Sequence, residues 1–135
     1  MLARMRAMIA TLALALVACG KASSPAVDLS TPEGAARCQY NAIRAKNLDQ
    51  WLPCMHPAIR ESVAAERDNL DAKRWRGALE TAAPLEHIKA TDFTIEPMPA
   101  DKQELGDQHA SFSLGKDSLE LVRKDGRWYI ADTGI

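Results

Sequence analysis

Two dipeptides near the C-terminus, Gly115-Lys116 and Asp125-Gly126, constrain the fold of this chain more than any other feature. Asp-Gly between two alternating segments is a strong hairpin signal, because a type I′ turn needs positive φ at both central residues. It sets Lys124 opposite Arg127, Arg123 opposite Trp128 and Leu121 opposite Ile130. Gly-Lys suits a type II′ loop, with Gly at the first central position. It sets Phe112 opposite Leu119 and Ala110 opposite Leu121. The two turns, taken separately, place Ala110, Phe112, Leu119, Leu121, Trp128 and Ile130 on one face. A one-residue slip would scatter them. The opposite face carries His109, Ser111, Ser113, Ser118, Glu120, Val122 and Tyr129 and is compatible with solvent. Strands are therefore expected over 108–114, 118–124 and 127–132. A further strand over 91–96, where polar and apolar residues alternate, is stopped by Pro97 and Pro99.

The preceding part is helical in period. Thr31 as N-cap with Pro32 in the first helical position is a start signal; Ser30 with a Glu33 capping box is the alternative. Ala36, Tyr40 and Ile43 recur at helical spacing, flanked by Ala35, Cys38 and Ala42, with Arg37, Asn41 and Arg44 on the other side. The helix should end near Asn47, a residue that tolerates the left-handed conformation. A short helix over 48–52 ends at Pro53, and His56-Pro57 opens another segment. The apolar spacing slips between Val63 and Leu70, which predicts two helices or a kink near Asp68-Asn69, the second running to about Ala82. Pro84 closes the helical half. Helices followed by an antiparallel sheet with one apolar face make an α+β domain, its N-terminal helices packed on one sheet face.

The first thirty residues lie apart from this domain. Arg4 and Arg6 precede an apolar run, Ala7 to Ala18, that falls well short of the roughly 20 residues needed to span a bilayer. This is the layout of a secretory signal peptide over 1–18. Leu16-Val17-Ala18-Cys19 resembles the bacterial lipobox, whose precursors are cut before the cysteine and acylated there. Two or more acyl chains give stable anchoring where one does not. The resemblance implies lipidation at Cys19 and an envelope location. The absence of Asp after the cysteine implies the outer membrane, facing the periplasm. Residues 19–30 then form the lipidated cysteine and a flexible, Pro-containing tether, and 31–135 form the single domain. The chain carries 17 basic and 18 acidic side chains, a formal net charge of −1. That balance argues against nucleic acid as the main partner.

Thr31-Pro32-Glu33 opening a small-residue helix, then Asn47-Leu48-Asp49, then Asp125-Gly126-Arg127-Trp128-Tyr129-Ile130, resembles bacterial lipoproteins of the nuclear transport factor two-like superfamily. That superfamily is also called SnoaL-like or ketosteroid-isomerase-like. The resemblance spans about residues 31–133. It implies a curved sheet wrapped on helices into a cone-shaped roll around a pocket, and often a homodimer. Enzymes of this type need a carboxylate base and an acidic donor inside an apolar cone. The apolar face here holds no acid before Asp132.

Cys38 and Cys54 are the cysteines left after processing. In an oxidising periplasm they are expected to pair; buried thiols, or a zinc site with His56, are the other readings. No metal-ligand spacing supports the zinc site, so no metal or other cofactor is expected. His56 precedes a proline at a helix start, His87 follows the Pro84 break, and His109 falls on the polar strand face. Asp92 and Asp107 read as solvated strand residues. No catalytic residue is assigned. Arg123 is the odd residue: the register puts it on the core side, opposite Trp128. It either stacks on the indole or anchors an anion at a pocket mouth. Tyr40, Trp75, Phe112, Arg123 and Trp128 are the candidate ligand pocket, with Trp51 beside them, or else simply core. A non-enzymatic binding module for a small apolar or anionic ligand, or for a protein partner, is the function these residues favour. An immunity or inhibitor lipoprotein and an isomerase- or cyclase-type enzyme are the alternatives.

Overall fold

The computed structural model describes residues 28–135. The expected signal peptide, Cys19 and most of the expected tether lie outside the described residues. Among the described residues four α-helices lead into the sheet: α1 (Pro32–Arg44), α2 (Leu48–Trp51), α3 (Pro57–Ala64) and α4 (Ala72–Ala82). Four strands follow, β1 (Thr94–Pro97), β2 (Gln108–Leu114), β3 (Asp117–Lys124) and β4 (Arg127–Asp132). They form one antiparallel sheet in sequence order. The domain is α+β, as the pattern predicts.

Both hairpins adopt the expected register. Lys124 faces Arg127, Arg123 faces Trp128 and Leu121 faces Ile130; Phe112 faces Leu119 and Ala110 faces Leu121. The turn residues take the backbone conformations this demands, with φ of 54° at Asp125, 78° at Gly126 and 63° at Gly115. Ala110, Leu119, Leu121, Trp128 and Ile130 are buried. Full burial of a side chain such as Leu121 or Ile130 stabilises the fold by about 1.5–3 kcal/mol relative to exposure. A bulge between Glu120 and Leu121 pairs Glu120 with Asp132 and breaks the alternation near the end of β4.

Helix α1 lies on this face because its inward side is built of small residues. Ala35, Ala36 and Ala42 are wholly buried, and the helix packs against β4, α4 and the turn at Ala83–His87. Thr31 is the N-cap, its hydroxyl accepting from the Gly34 N–H at 3.1 Å.

Four local expectations are corrected. Asn47 is not the left-handed residue closing α1; Lys46 is, with φ of 53°. Asn47 is extended and caps α2, its side-chain oxygen accepting from the Gln50 N–H. Pro53 does not stop the chain turning, because it sits within a 3₁₀ turn (Leu52–Cys54) that continues from α2. Strand β1 starts at Thr94, not Thr91. Asp92 is not a strand residue; it belongs to a 3₁₀ turn in which its carboxylate accepts from the Lys89 N–H at 2.8 Å. Finally, the second sheet face is not left wholly to solvent. The segment 98–107 folds over it, leaving Val122 4% exposed. Gly106 permits that approach, since a Cβ there would lie 2.5 Å from the Val122 Cγ1 and 2.2 Å from the Arg123 carbonyl oxygen.

The two sheet edges differ. Beyond β4, the Leu29 carbonyl accepts from the Trp128 N–H and the Ile130 carbonyl accepts from the His56 N–H, both at 2.7 Å. Beyond β1 no strand is paired among the described residues, and Ile95 is 45% exposed.

Candidate functional site

Cys38 and Cys54 form a disulfide across a separation of 16 residues. Both are buried, and the bridge ties the middle of α1 to the turn that follows α2. Between them in sequence lies a node that helical spacing did not reveal. Gln39 is fully buried; its Nε2 donates to the Thr133 carbonyl and its Oε1 accepts from the Trp51 Nε1, each at 3.0 Å. A buried amide is tolerated when both ends are satisfied, as here, and this one holds the indole of Trp51 in place.

The five candidate pocket residues are distributed over the core and its edges. Tyr40 is half-buried on α1 and packs against the core. Trp75 is buried on α4, its ring centroid 5.8 Å from that of Trp51. Phe112 is half-buried and lies 6.0 Å from Phe93. Trp128 is buried beneath α1's side of the sheet. Arg123 does face Trp128 in the register, but its guanidinium is engaged with Asp107. The Arg123 Nε donates to the Asp107 Oδ1 at 3.0 Å and Nη2 to Oδ2. Asp107 is thus an ion-pair partner at the start of β2, and the Arg123 hydrogen bond holds its carboxyl below the usual carboxylate range. The same pairing raises the Arg123 guanidinium further. The aromatic ring beneath a cation is instead Tyr129, with the Arg60 guanidinium 5.7 Å from its centroid.

The histidines are placed by backbone as much as by side chain. His56 is 4% exposed. Its Nδ1 accepts from the Ala58 N–H at 3.1 Å, capping α3, and its Nε2 lies 2.8 Å from the Leu105 carbonyl. With Nδ1 accepting, Nε2 is the ring nitrogen that can donate to the carbonyl. It staples the 98–107 segment to the start of α3. His109 lies 3.5 Å from Glu96 across β1 and β2, a histidine–carboxylate neighbour that linear spacing did not show. His87 is exposed beside Glu86. Among the described residues no three His, Cys, Asp or Glu side chains gather as a metal site requires.

A hollow lies elsewhere, between α3 and α4. Asp71 caps α4 by accepting from the Arg74 N–H at 2.8 Å. Along that helix Trp75, Ala78 and Ala82 turn into the core. Arg74, Gly77, Ala78 and Thr81, spaced i, i+3, i+4 and i+7, form a neighbouring stripe. This stripe, with Val63, Leu70, Trp51 and the C-terminal Ile135, lines a groove of about 640 Å³. That volume falls inside the roughly 300–1,000 Å³ of ordinary small-molecule sites. None of the five candidate pocket residues lines it. The slip in apolar spacing between Val63 and Leu70 marks the turn (Arg67–Asn69) that separates the two walls. Gly77, inside a helix, was the sequence signal that could have located the hollow.

Comparison with protein-family models, with curated proteins and with solved structures gives no match.

Proposed function

We propose that this chain is a bacterial envelope lipoprotein, anchored through Cys19 at the outer membrane, whose periplasmic domain binds a small ligand and does not catalyse its conversion. The observation that carries the binding role is the groove between α3 and α4, floored by Trp51 and walled by Val63, Leu70, Ala78 and Ile135. Pockets of this kind bury ligands through apolar walls and a few polar anchors. The non-enzymatic reading is supported by what the groove's acids do: Asp71 caps a helix and Glu66 accepts from Asn69. The anchor is supported by the lipobox-like Leu16-Val17-Ala18-Cys19. In this reading the sheet and α1 are a filled form of the cone-shaped roll implied by the nuclear transport factor two-like resemblance, and the ligand sits beside the roll.

Mass spectrometry of the membrane fraction tests the anchor, with a mature chain beginning at acylated Cys19 as the expected result. A soluble chain retaining Arg4 and Arg6 would refute it. Native mass spectrometry of protein taken from its own envelope tests the binding role. A retained small molecule is expected; a bare chain that also binds no hydrophobic probe would overturn that role.

A further inference from the structure

The groove has features that narrow its ligand. Gly77 occupies the interior of α4, where Gly costs about 1 kcal/mol relative to Ala. A Cβ built on it would meet nothing within 4 Å. Packing within the domain therefore does not require a glycine there. A ligand lying against the helix backbone would, and close backbone approach to a ligand is one of the standard uses of glycine. The neighbouring Thr81 hydroxyl, also on the lining, donates to the Gly77 carbonyl at 3.1 Å, so its hydrogen is already satisfied within the helix.

The charges at the rim are unequal in their engagements. Glu66 accepts from the Asn69 side chain and Asp71 caps α4. Arg67, next to Glu66, is held by Asp49, whose carboxyl the hydrogen bond lowers. Lys73 and Arg74 line the groove, and among the described residues neither has an ion-pair partner. Two carboxylates, Glu66 and Asp71, and two cations, Lys73 and Arg74, therefore line the largely aliphatic groove, and among the described residues it is the two cationic side chains that hold no hydrogen-bond or ion-pair partner.

We infer that the groove takes a single-chain anionic amphiphile, its apolar chain running over Gly77 and Trp51 and its carboxylate or phosphate head held by Lys73 and Arg74. This rests on the binding role proposed above and adds the site and the ligand class. The walls suit a flexible aliphatic chain better than a flat ring system, since Val63, Leu70, Ala78 and Ile135 are aliphatic and, among the described residues, Trp51 is the one aromatic on the lining.

The purified full chain is titrated with dodecanoate, dodecanol and dodecyltrimethylammonium below their micellar concentrations, read by tryptophan emission and calorimetry. Dodecanoate should bind saturably and tightest. The Gly77→Phe variant should weaken dodecanoate and dodecanol alike, by about tenfold or more, or about 1.4 kcal/mol. The Lys73→Glu, Arg74→Glu double variant should weaken dodecanoate by about tenfold and leave dodecanol within about twofold. Should Gly77→Phe fail to fold, Gly77→Ala replaces it, with a raised melting temperature and a weakened dodecanoate affinity expected. Dodecanol that still binds but ignores Gly77→Phe would remove the groove as the site. Dodecanoate no tighter than dodecyltrimethylammonium would remove the anionic head, while the binding role itself would stand. Binding to phosphatidylglycerol vesicles without binding to free dodecanoate would assign the groove to a bilayer surface and overturn the inference.

Discussion

The apolar sheet face and the groove between α3 and α4 are both lined by hydrophobic side chains, yet one is filled and the other is hollow. On the sheet face, Leu119, Leu121 and Ile130 are wholly buried, because the alanines of α1 let its backbone come close and the intervening space closes. At the groove, α4 turns Trp75 and Ala82 inward and presents Gly77 towards α3. The lining opposite this stripe is made of Ser62, Val63, Glu66 and Leu70, on either side of the 67–69 turn, and the space between stays open. Small residues thus act in opposite ways in the two regions. Where a partner helix can follow them inward they close a core; where the partner is held back by a turn they leave a cavity.

The largest effect expected on this contrast comes from the filled side. Trp128→Ala should destabilise the domain by about 3–5 kcal/mol, the usual cost of truncating a buried Trp, measured by urea unfolding. Gly77→Phe adds a larger group on the hollow side and should leave the unfolding midpoint nearly unchanged. Comparable losses from both variants would mean the two regions are packed alike, and the contrast would fail. Next in size is the disulfide. Replacing Cys38 and Cys54 together with Ser should cost about 3 kcal/mol, the chain-entropy value for a loop near this length, because it frees α1 from the turn after α2. The same loss should appear when the native chain is unfolded in reductant.

Much of the filled region was legible in the sequence, and the hollow one was not. Gly115-Lys116 and Asp125-Gly126 specify φ, φ specifies the turn, and the turn specifies the cross-strand partners on both hairpins up to the bulge at Glu120 and Leu121. Each of these dependences is local, acting between residues adjacent in the chain or across one turn. The side chain of Arg123 is not set locally. The register placed its Cα correctly opposite Trp128, but a long side chain chooses among all neighbours within its reach, and Asp107, sixteen residues away, was nearest in charge. Tyr40, Phe112 and Trp128 stand out in the sequence as aromatics on apolar faces, and periodicity reports that a face is buried without reporting whether protein or ligand buries it. The groove depends on the angle at which α4 leaves the 67–69 turn, a tertiary quantity with no periodic signature.

A third test lies on the boundary between the regions. Gln39 reaches from the filled core to the Trp51 indole on the groove floor. Gln39→Leu keeps the volume but strands the Trp51 Nε1 and the Thr133 carbonyl, each without a partner. Leaving such groups unsatisfied should cost about 1–3 kcal/mol. The distinguishing readout is on the groove side: tryptophan emission should change and dodecanoate affinity fall, although Gln39 does not line the groove. A loss of stability with emission and affinity intact would show that the floor is held by packing alone.

The smallest expected effect concerns Arg123, and it separates two cationic sites, Arg123 at the sheet and Lys73 with Arg74 at the groove. Its partner Asp107 has its carboxyl lowered, chiefly by the Arg123 hydrogen bond. A carboxyl whose folded pKa is depressed contributes stability above its unfolded value and loses it as pH falls through the folded one. The Arg123→Ala variant should therefore melt slightly below the native chain at pH 7. The gap should narrow as pH drops below about 4, near the ordinary Asp value, since both proteins then lack the ionised pair. Because both side chains reach solvent, the gap should also shrink on adding salt. Dodecanoate binding should be indifferent to Arg123→Ala and sensitive to Lys73→Glu with Arg74→Glu. If Arg123→Ala instead weakened dodecanoate with no change in melting at any pH, the anion would be binding at the sheet end. The cationic anchor would then be the one the register alone had suggested.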